Sequence, residues 1–178
     1  MTDKTGATPV THPPAVIGLD LSMTCVGICL PDGTTEHVRG NTSGTLHDRA
    51  THLRDELRPW LAPGADLFVV EAIGTRFVQT AISMAYLHCM IDDVLNCERV
   101  VKVPPASLKR FATGRGNADK HMMTIAAIRS GWTSDEGSTH DEADAWWLWA
   151  LGRHVLAAPV VGDTAYRRAV IDKLRAAS

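Results

Sequence analysis

The sequence predicts one α/β domain, a mixed five-stranded sheet with helices on both faces. Short β-branched and aromatic runs alternate with segments of helical period, in the order three strands, helix, strand, helix, strand, helices. Asp32-Gly33 is a tight-turn signal between the second and third strands. Hydrophobic residues make up 45% of the 178-residue chain and charged residues 21%, as in ordinary globular proteins. No apolar run is long enough for a membrane helix, so a cytoplasmic protein is the simplest expectation.

The first half of the chain predicts four of the strands. Residues 16–30 form an apolar run that gives a strand and its continuation, and residues 34–39 give the hairpin partner. Residues 46–61 have apolar side chains at helical spacing, and residues 67–72 suit a buried central strand. Residues 76–95 predict a helix that is apolar on most of its circumference, which indicates either burial within one subunit or a subunit interface.

The second half predicts one strand followed by helices. The strand covers residues 99–103, a glycine-containing loop covers residues 113–117, and helices cover residues 107–111, 118–129, 141–156 and 163–177. We therefore expect a disordered tail at residues 1–14, the main domain at 15–158 and a C-terminal helical extension at 159–178. None of the four cysteines forms a C-x-x-C pair, which favours buried reduced thiols over a zinc site.

Two carboxylates lie in otherwise apolar strands. Asp20 is inside the first strand, and Glu71 ends the strand that starts at residue 67. An acid in such a run is costly to bury unless it is paired or binds a cation. Neighbouring strands would bring the two together, and a divalent cation would offset their repulsion. The alternative is that both lie at strand ends and face water.

A second pair of carboxylates begins a helix. Asp141 and Asp144 are three residues apart, so they share one helical face, whereas Glu142 is expected to face solvent. Acids in a first turn are also stabilised by the helix dipole alone. Combined with Asp20 and Glu71, the pair predicts an all-oxygen site suited to Mg²⁺ or Mn²⁺.

The charge distribution agrees with a site that cuts a polyanion. Residues 101–130 contain six Lys or Arg and one acid, and residues 131–149 contain five acids and no Lys or Arg. A carboxylate-rich pocket beside a basic stretch is what metal-assisted cleavage of nucleic acid requires. The net charge of −2 does not by itself indicate a nucleic-acid-binding protein.

Four short motifs follow one another in the chain: residues 17–22 (IGLDLS), 69–71 (VVE), 107–109 (SLK) with 114–120 (GRGNADK), and 140–145 (HDEADA). In this order they resemble the RuvC family of Holliday-junction resolvases, particularly its phage-type members. The resemblance covers roughly residues 15–158, and Leu21-Ser22 stands where bacterial members tend to have Pro-Gly.

The resemblance implies an RNase H-like, or retroviral-integrase-like, nuclease fold for residues 15–158 and a homodimer that cuts two opposed strands. It implies two Mg²⁺ ions per site, with Mn²⁺ as a substitute, and hydrolysis that leaves 5′-phosphate and 3′-hydroxyl ends. The implied metal-binding catalytic carboxylates are Asp20, Glu71, Asp141 and Asp144. Lys109 and Lys120 resemble the basic residues near the scissile phosphate. DNA contacts are expected from Lys109, Arg110, Arg115, Lys120 and Phe77.

Several residues keep two interpretations. Phe77 is a junction wedge or a core residue, and His140 joins the site or only flanks it. Trp146, Trp147 and Trp149 stack on bases or, more plausibly, pack against the sheet. The basic side chains of the last helix touch phosphates or, more plausibly, are solvated surface; they are Arg167, Arg168, Lys173 and Arg175.

The predicted function is therefore cleavage of four-way junctions or other branched DNA. The rivals are a same-fold nuclease for flaps, forks or structured RNA, and a protein that binds branched DNA without cutting it. An actin-like ATPase shares the sheet topology but needs two lobes, for which the chain is too short. A helicase is excluded because the chain lacks a G-x-x-x-x-G-K-[ST] loop.

Overall fold

The computed structural model describes residues 12–74, 78–95 and 99–176, and it contains the predicted mixed five-stranded sheet. The strand order is β3-β2-β1-β4-β5, with β1 antiparallel to β2, β2 antiparallel to β3, and β4 parallel to both β1 and β5. The strands are β1 (Val16–Asp20), β2 (Cys25–Cys29), β3 (Thr35–Arg39), β4 (Leu67–Glu71) and β5 (Val100–Val103).

The helices in the described part of the chain also follow the predicted order. None of those helices has the length and apolar character to cross a membrane. They are α1 (Leu46–Leu61), α2 (Val78–Leu95), α3 (Pro105–Thr113), α4 (Lys120–Arg129), α5 (His140–Val155) and α6 (Ala165–Arg175). Phe77, Cys97 and most of the predicted tail lie outside the described residues.

Successive side chains of the central strands enter two separate cores. Val16 and Val69 pack with α3, α4, α5 and α6 on one face, while Ile17 and Phe68 pack with α1 and α2 on the other. This alternation is the two-residue period of a strand, and burial on both faces explains why the runs are almost continuously apolar. α6 belongs to the first core through Val170, so it packs on the rest of the fold.

Helix α5 lies against the sheet with backbone touching backbone. A Cβ added to Gly18 would be 2.2 Å from the carbonyl oxygen of Ala145, and one added to Gly27 would be 2.1 Å from that of Asp141. Only glycine permits so close an approach. The three tryptophans of α5 are buried, which confirms packing as their role, and the Trp147 Nε1–H donates to the carbonyl of Met123 at 3.1 Å.

The expectation that the basic side chains of the last helix are solvated surface is wrong for Arg167. Arg167 is buried and donates through Nε to the carbonyl of Phe111 at 3.1 Å, and through Nη1 to that of Gly162 at 2.6 Å. It therefore ties α6 to α3 and is neither solvated surface nor free to contact phosphates. Arg168 instead pairs with Asp163 at 2.7 Å on the surface.

The thiols agree with the expectation only in part. Cys29 is buried and free, as expected, and Cys25 is half-buried. Cys89 is exposed on α2, so the prediction that the cysteines are buried is wrong for this residue.

The contact between α5 and β2 predicts that Gly27→Ala destabilises the protein by more than about 2 kcal/mol, because the added methyl group meets backbone that cannot turn aside. Gly74→Ala is the matched control, since among the described residues, its chain neighbours aside, no atom lies within 4 Å of its added Cβ. Urea unfolding followed by circular dichroism measures both. Equal unfolding midpoints for the two variants would show that α5 does not depend on this contact.

The burial of His88 predicts that the protein loses stability in mild acid. Its side chain is buried in α2, and neither ring nitrogen has a hydrogen-bond partner among the described residues. Burial lowers the pKa of His88, and nearby Lys102 lowers it further. In mild acid the unfolded chain therefore binds more protons at this residue than the folded protein does. The contribution of neutral His88 to the free energy of unfolding is present above about pH 6.5 and is lost as the pH falls through the folded-state pKa. We expect a smaller fall in Tm between about pH 7.5 and pH 5.5 for His88→Leu than for wild type; an equal fall would contradict the assignment.

Candidate active site

The topology brings the ends of two strands and the start of one helix to the same place. β1 and β4 are parallel and are in register at Leu19 and Val70, so the next residues, Asp20 and Glu71, leave the sheet side by side. Asp20 of β1 also pairs with Gly27 of β2, and the backbone carbonyl of Asp141 packs directly against Gly27. The first turn of α5 is thereby placed over the ends of β1 and β4.

All four predicted carboxylates and both predicted lysines line one cleft of about 420 Å³. Asp20 comes from β1, Glu71 from β4, and Asp141 and Asp144 from the first turn of α5. Side chains that are far apart in the chain therefore meet in one place. The complete lining is Asp20, Leu21, Ser22, Thr24, Glu71, Pro105, Lys109, Lys120, Met123, Asp141 and Asp144.

Asp20, Glu71 and Asp144 are held where their ionised forms are unfavourable. Burial raises the pKa of Asp20 well above its ordinary value, and the charges of Glu71 and Asp144 raise it further. Burial and the charge of Glu71 raise the pKa of Asp144 to about 7. Burial also raises the pKa of Glu71, although a hydrogen bond with Asp20 and the charge of Lys109 oppose the rise. The cluster therefore favours binding a proton or another cation.

The donor atoms fit a hard divalent cation. Oδ1 of Asp144 is buried and has no hydrogen-bond partner among the described residues, although buried polar atoms are normally paired. Every acidic group that lines the cleft offers oxygen, the ligand atom that Mg²⁺ and Mn²⁺ prefer. Within the described ranges, no three His, Cys, Asp or Glu side chains are already close enough to hold an ion.

The two lysines enter the cleft from the helices that follow β5. Lys109 is on α3, and Lys120 begins α4, where Asp119 caps the helix by accepting from the N–H of Met122 at 2.8 Å. Lys120 Nζ lies 3.3 Å from Asp141 Oδ1 and is largely exposed to solvent. Burial lowers the pKa of Lys120, but the charge and hydrogen bond of Asp141 and the charges of Asp20 and Asp144 together outweigh burial, so the pKa is raised and the ammonium form is favoured.

The predicted DNA-contacting residues do not all share the cleft. Arg110 lines a separate cavity of about 280 Å³ together with Ser107 and Lys173. Arg115 is exposed on the glycine loop, and Phe77 lies outside the described residues. His140 is exposed, bonds Thr124 Oγ1 through Nδ1 at 2.8 Å, and lines a neighbouring cavity that shares Lys120 and Asp141 with the cleft.

The prediction for Glu142 is wrong. We expected it to face solvent, but its side chain is buried and bonds His37 and Thr35 of the edge strand. One part of this arrangement was signalled in the sequence: Thr139-x-x-Glu142 is a capping box, in which the glutamate turns back to the start of its helix.

Solved structures share this fold. No protein-family model matches the chain, and a search of curated proteins finds no match. A Thermus thermophilus RuvC structure in complex with a Holliday junction substrate matches with a TM-score of 0.64 and 16% identity, covering 76% of this chain and 90% of that one. A second Thermus thermophilus RuvC structure matches with a TM-score of 0.58 and 14% identity, covering 81% and 97%. At these identities the similarity shows the fold, which is the RNase H-like fold that the motifs imply.

Proposed function

We propose that this protein is a metal-dependent endonuclease of the RuvC type that cuts branched DNA, with the four-way junction as its substrate. The observation that carries the proposal is the convergence of Asp20, Glu71, Asp141 and Asp144 with two lysines in one cleft. The choice of substrate is supported by the shared fold and by the Holliday junction that the Thermus thermophilus RuvC binds in its complex.

The four carboxylates would hold two Mg²⁺ ions, or Mn²⁺ in their place. When bound, such ions lower the pKa of water, neutralise phosphate charge and stabilise the leaving oxygen. The protein's own contribution is to hold the buried Asp20 and the half-buried Asp144 in one cluster, so that their repulsion is relieved when a cation binds. Hydrolysis would leave 5′-phosphate and 3′-hydroxyl ends.

The lysines supply the positive charge that binds the strand to be cut. The ammonium groups of Lys109 and Lys120 line the same cleft as the acids, so a phosphate held there would contact both kinds of group. We propose that Arg110 and Arg115 contact phosphates farther along the DNA, where backbone contacts fix position without reading sequence. A wedge role for Phe77 stays a prediction.

Cleavage is favoured over binding alone because clustered carboxylates repel a polyanion. A protein that only binds branched DNA gains nothing from four acids beside the phosphate path. The same argument does not separate junctions from flaps, forks or structured RNA, so the substrate is tested directly below. The cytoplasmic location and the domain boundaries stay predictions.

We also propose that the protein acts as a homodimer, with α2 at the interface. One face of α2 exposes large apolar side chains that belong in an interface: Val78 is 76% exposed and Ile82 53%. Tyr86, one turn farther along the same face, is 38% exposed. Two subunits would place two clefts on opposed strands of one junction.

The central prediction is that Asp144→Asn lowers the rate of junction cleavage by about a hundredfold or more, because a bound ion supplies several kcal/mol of charge stabilisation to the transition state. The variant should also bind Mn²⁺ more weakly in calorimetry. Glu56→Gln, which removes an exposed acid on α1, is the matched control and should behave as wild type. Equal cleavage by wild type and Asp144→Asn would remove Asp144 from the mechanism.

The same assay tests the substrate. Junction, fork, flap and RNA–DNA hybrid are compared at one Mg²⁺ concentration, and the junction should be cut fastest. Faster cutting of a flap or fork would identify the same-fold alternative. Binding without cutting, with either Mg²⁺ or Mn²⁺, would favour the purely DNA-binding alternative.

The proposed dimer predicts that Ile82→Glu gives a monomer in light scattering, because the charge would have to be buried in the interface. Ile128→Glu is the matched control, since Ile128 is 50% exposed on α4 rather than α2. The Ile82→Glu monomer should nick junctions on one strand instead of cutting both together. A wild-type monomer, or an Ile82→Glu dimer, would refute this interface.

A further inference from the structure

The residue next to Asp141 is a buried carboxylate that the proposed chemistry does not use. Only 4% of Glu142 is exposed, although it stands between two residues of the cleft, Asp141 and Asp144. A buried carboxylate is costly unless hydrogen bonds and charges compensate it. The partners of Glu142 therefore indicate what its burial achieves.

Glu142 has two sets of partners. Oε1 accepts from the N–H of Thr139 at 3.1 Å, which caps α5, and bonds Nδ1 of His37 at 2.8 Å. Oε2 accepts from the Thr35 hydroxyl at 3.0 Å. That hydroxyl in turn accepts from Nε1–H of Trp132 at 3.1 Å. One carboxylate thus joins the start of α5 to the edge strand β3 and to the segment after α4.

The connection fixes the turn that carries Asp141. The backbone carbonyl of Asp141 packs against Gly27 of β2, and the Glu142 side chain is hydrogen-bonded to Thr35 and His37 of β3. The Asp141 side chain itself is 20% exposed; its carboxylate pairs with the exposed ammonium of Lys120 and accepts a hydrogen bond from the Cys25 thiol. The place of this carboxylate in the cleft therefore depends on where the first turn of α5 lies as well as on these two contacts.

We propose that Glu142 is a positioning residue for the metal site: its bonds to Thr35 and His37 hold Asp141 in the place where it binds the cation. The inference rests on the proposed function of the cleft. Outer groups that hold a metal ligand in place affect affinity although they do not touch the ion. Loss of the bonds to β3 should weaken cation binding.

A simpler explanation is that Glu142 only caps its helix, and the chain offers a matched control for it. Asp48 has the same place in the capping box of α1, where its Oδ2 accepts from the N–H of Thr45 at 2.9 Å. α1 does not contribute to the cleft. Asp48→Ala and Glu142→Ala therefore both remove a cap, but only Glu142→Ala removes a connection to β3.

Two further variants separate the connection from the cap. Thr35→Val removes the hydroxyl that bonds Oε2 and leaves the capping box of α5 complete. Glu142→Gln keeps the length of the side chain and an acceptor oxygen, so it should restore most of what alanine loses. Both variants remain informative if Glu142→Ala proves too unstable to study.

The experiment measures Mn²⁺ affinity by calorimetry, the Mg²⁺ dependence of junction cleavage, and Tm without metal. We expect Glu142→Ala to weaken Mn²⁺ binding about tenfold or more, and Thr35→Val to weaken it less. Asp48→Ala should lower Tm but leave Mn²⁺ affinity at the wild-type value, and Glu142→Gln should stay close to wild type. High Mg²⁺ should recover part of the activity of Glu142→Ala.

Failure of this inference differs from failure of the proposed function. If wild type binds Mn²⁺ and cuts junctions while Glu142→Ala and Thr35→Val keep wild-type affinity, the positioning role is refuted and the nuclease stands. If Glu142→Ala and Asp48→Ala lose affinity equally, general destabilisation explains the effect. If wild type neither binds Mn²⁺ nor cuts any substrate, the proposed function itself is wrong.

Discussion

Electrostatic repulsion among the four carboxylates of the cleft destabilises the fold, and the packing of the rest of the structure has to offset it. Asp20 is buried at the end of β1 and faces acids from β4 and α5, and both burial and these charges raise its pKa. The fold tolerates this repulsion because the backbone of α5 packs closely on Gly18 and Gly27 of the sheet, and because the tryptophans of α5 are buried in the core. Apolar packing of α5 thus offsets an electrostatic cost at its first turn.

The sequence was sufficient for the elements and for the acids of the cleft, because those signals are local. Asp20 and Glu71 stood out as charges in apolar strands, and Asp141 and Asp144 as a pair at helical spacing. The prediction for Glu142 was wrong because helical periodicity describes one helix by itself. Its partner Thr35 is 107 positions away on an edge strand, and no local pattern indicates that contact.

Arg167 was misjudged for the same reason. A basic residue among others on an amphipathic helix indicates a solvated face, yet this guanidinium lies under α3 and donates to the carbonyl of Phe111. Its guanidinium carbon lies 5.4 Å from the ring centroids of both Phe111 and Trp147. Composition can predict how many charges a helix carries, whereas the tertiary structure decides which of them are buried.

The fold alone does not establish catalysis, since one fold supports many functions. At 16% identity to the RuvC structure, the energetics of the cleft bear on the proposed function more directly than the shared fold does. Burial and the charge of Glu71 raise the pKa of Asp144 to about 7, far above its unfolded value, so the folded protein binds more protons than the unfolded chain in weak acid. This contribution to stability is present below about pH 4 and is lost as the pH rises through about 7. At neutral pH the repulsion among these carboxylates therefore destabilises the fold, and a divalent cation would relieve that cost.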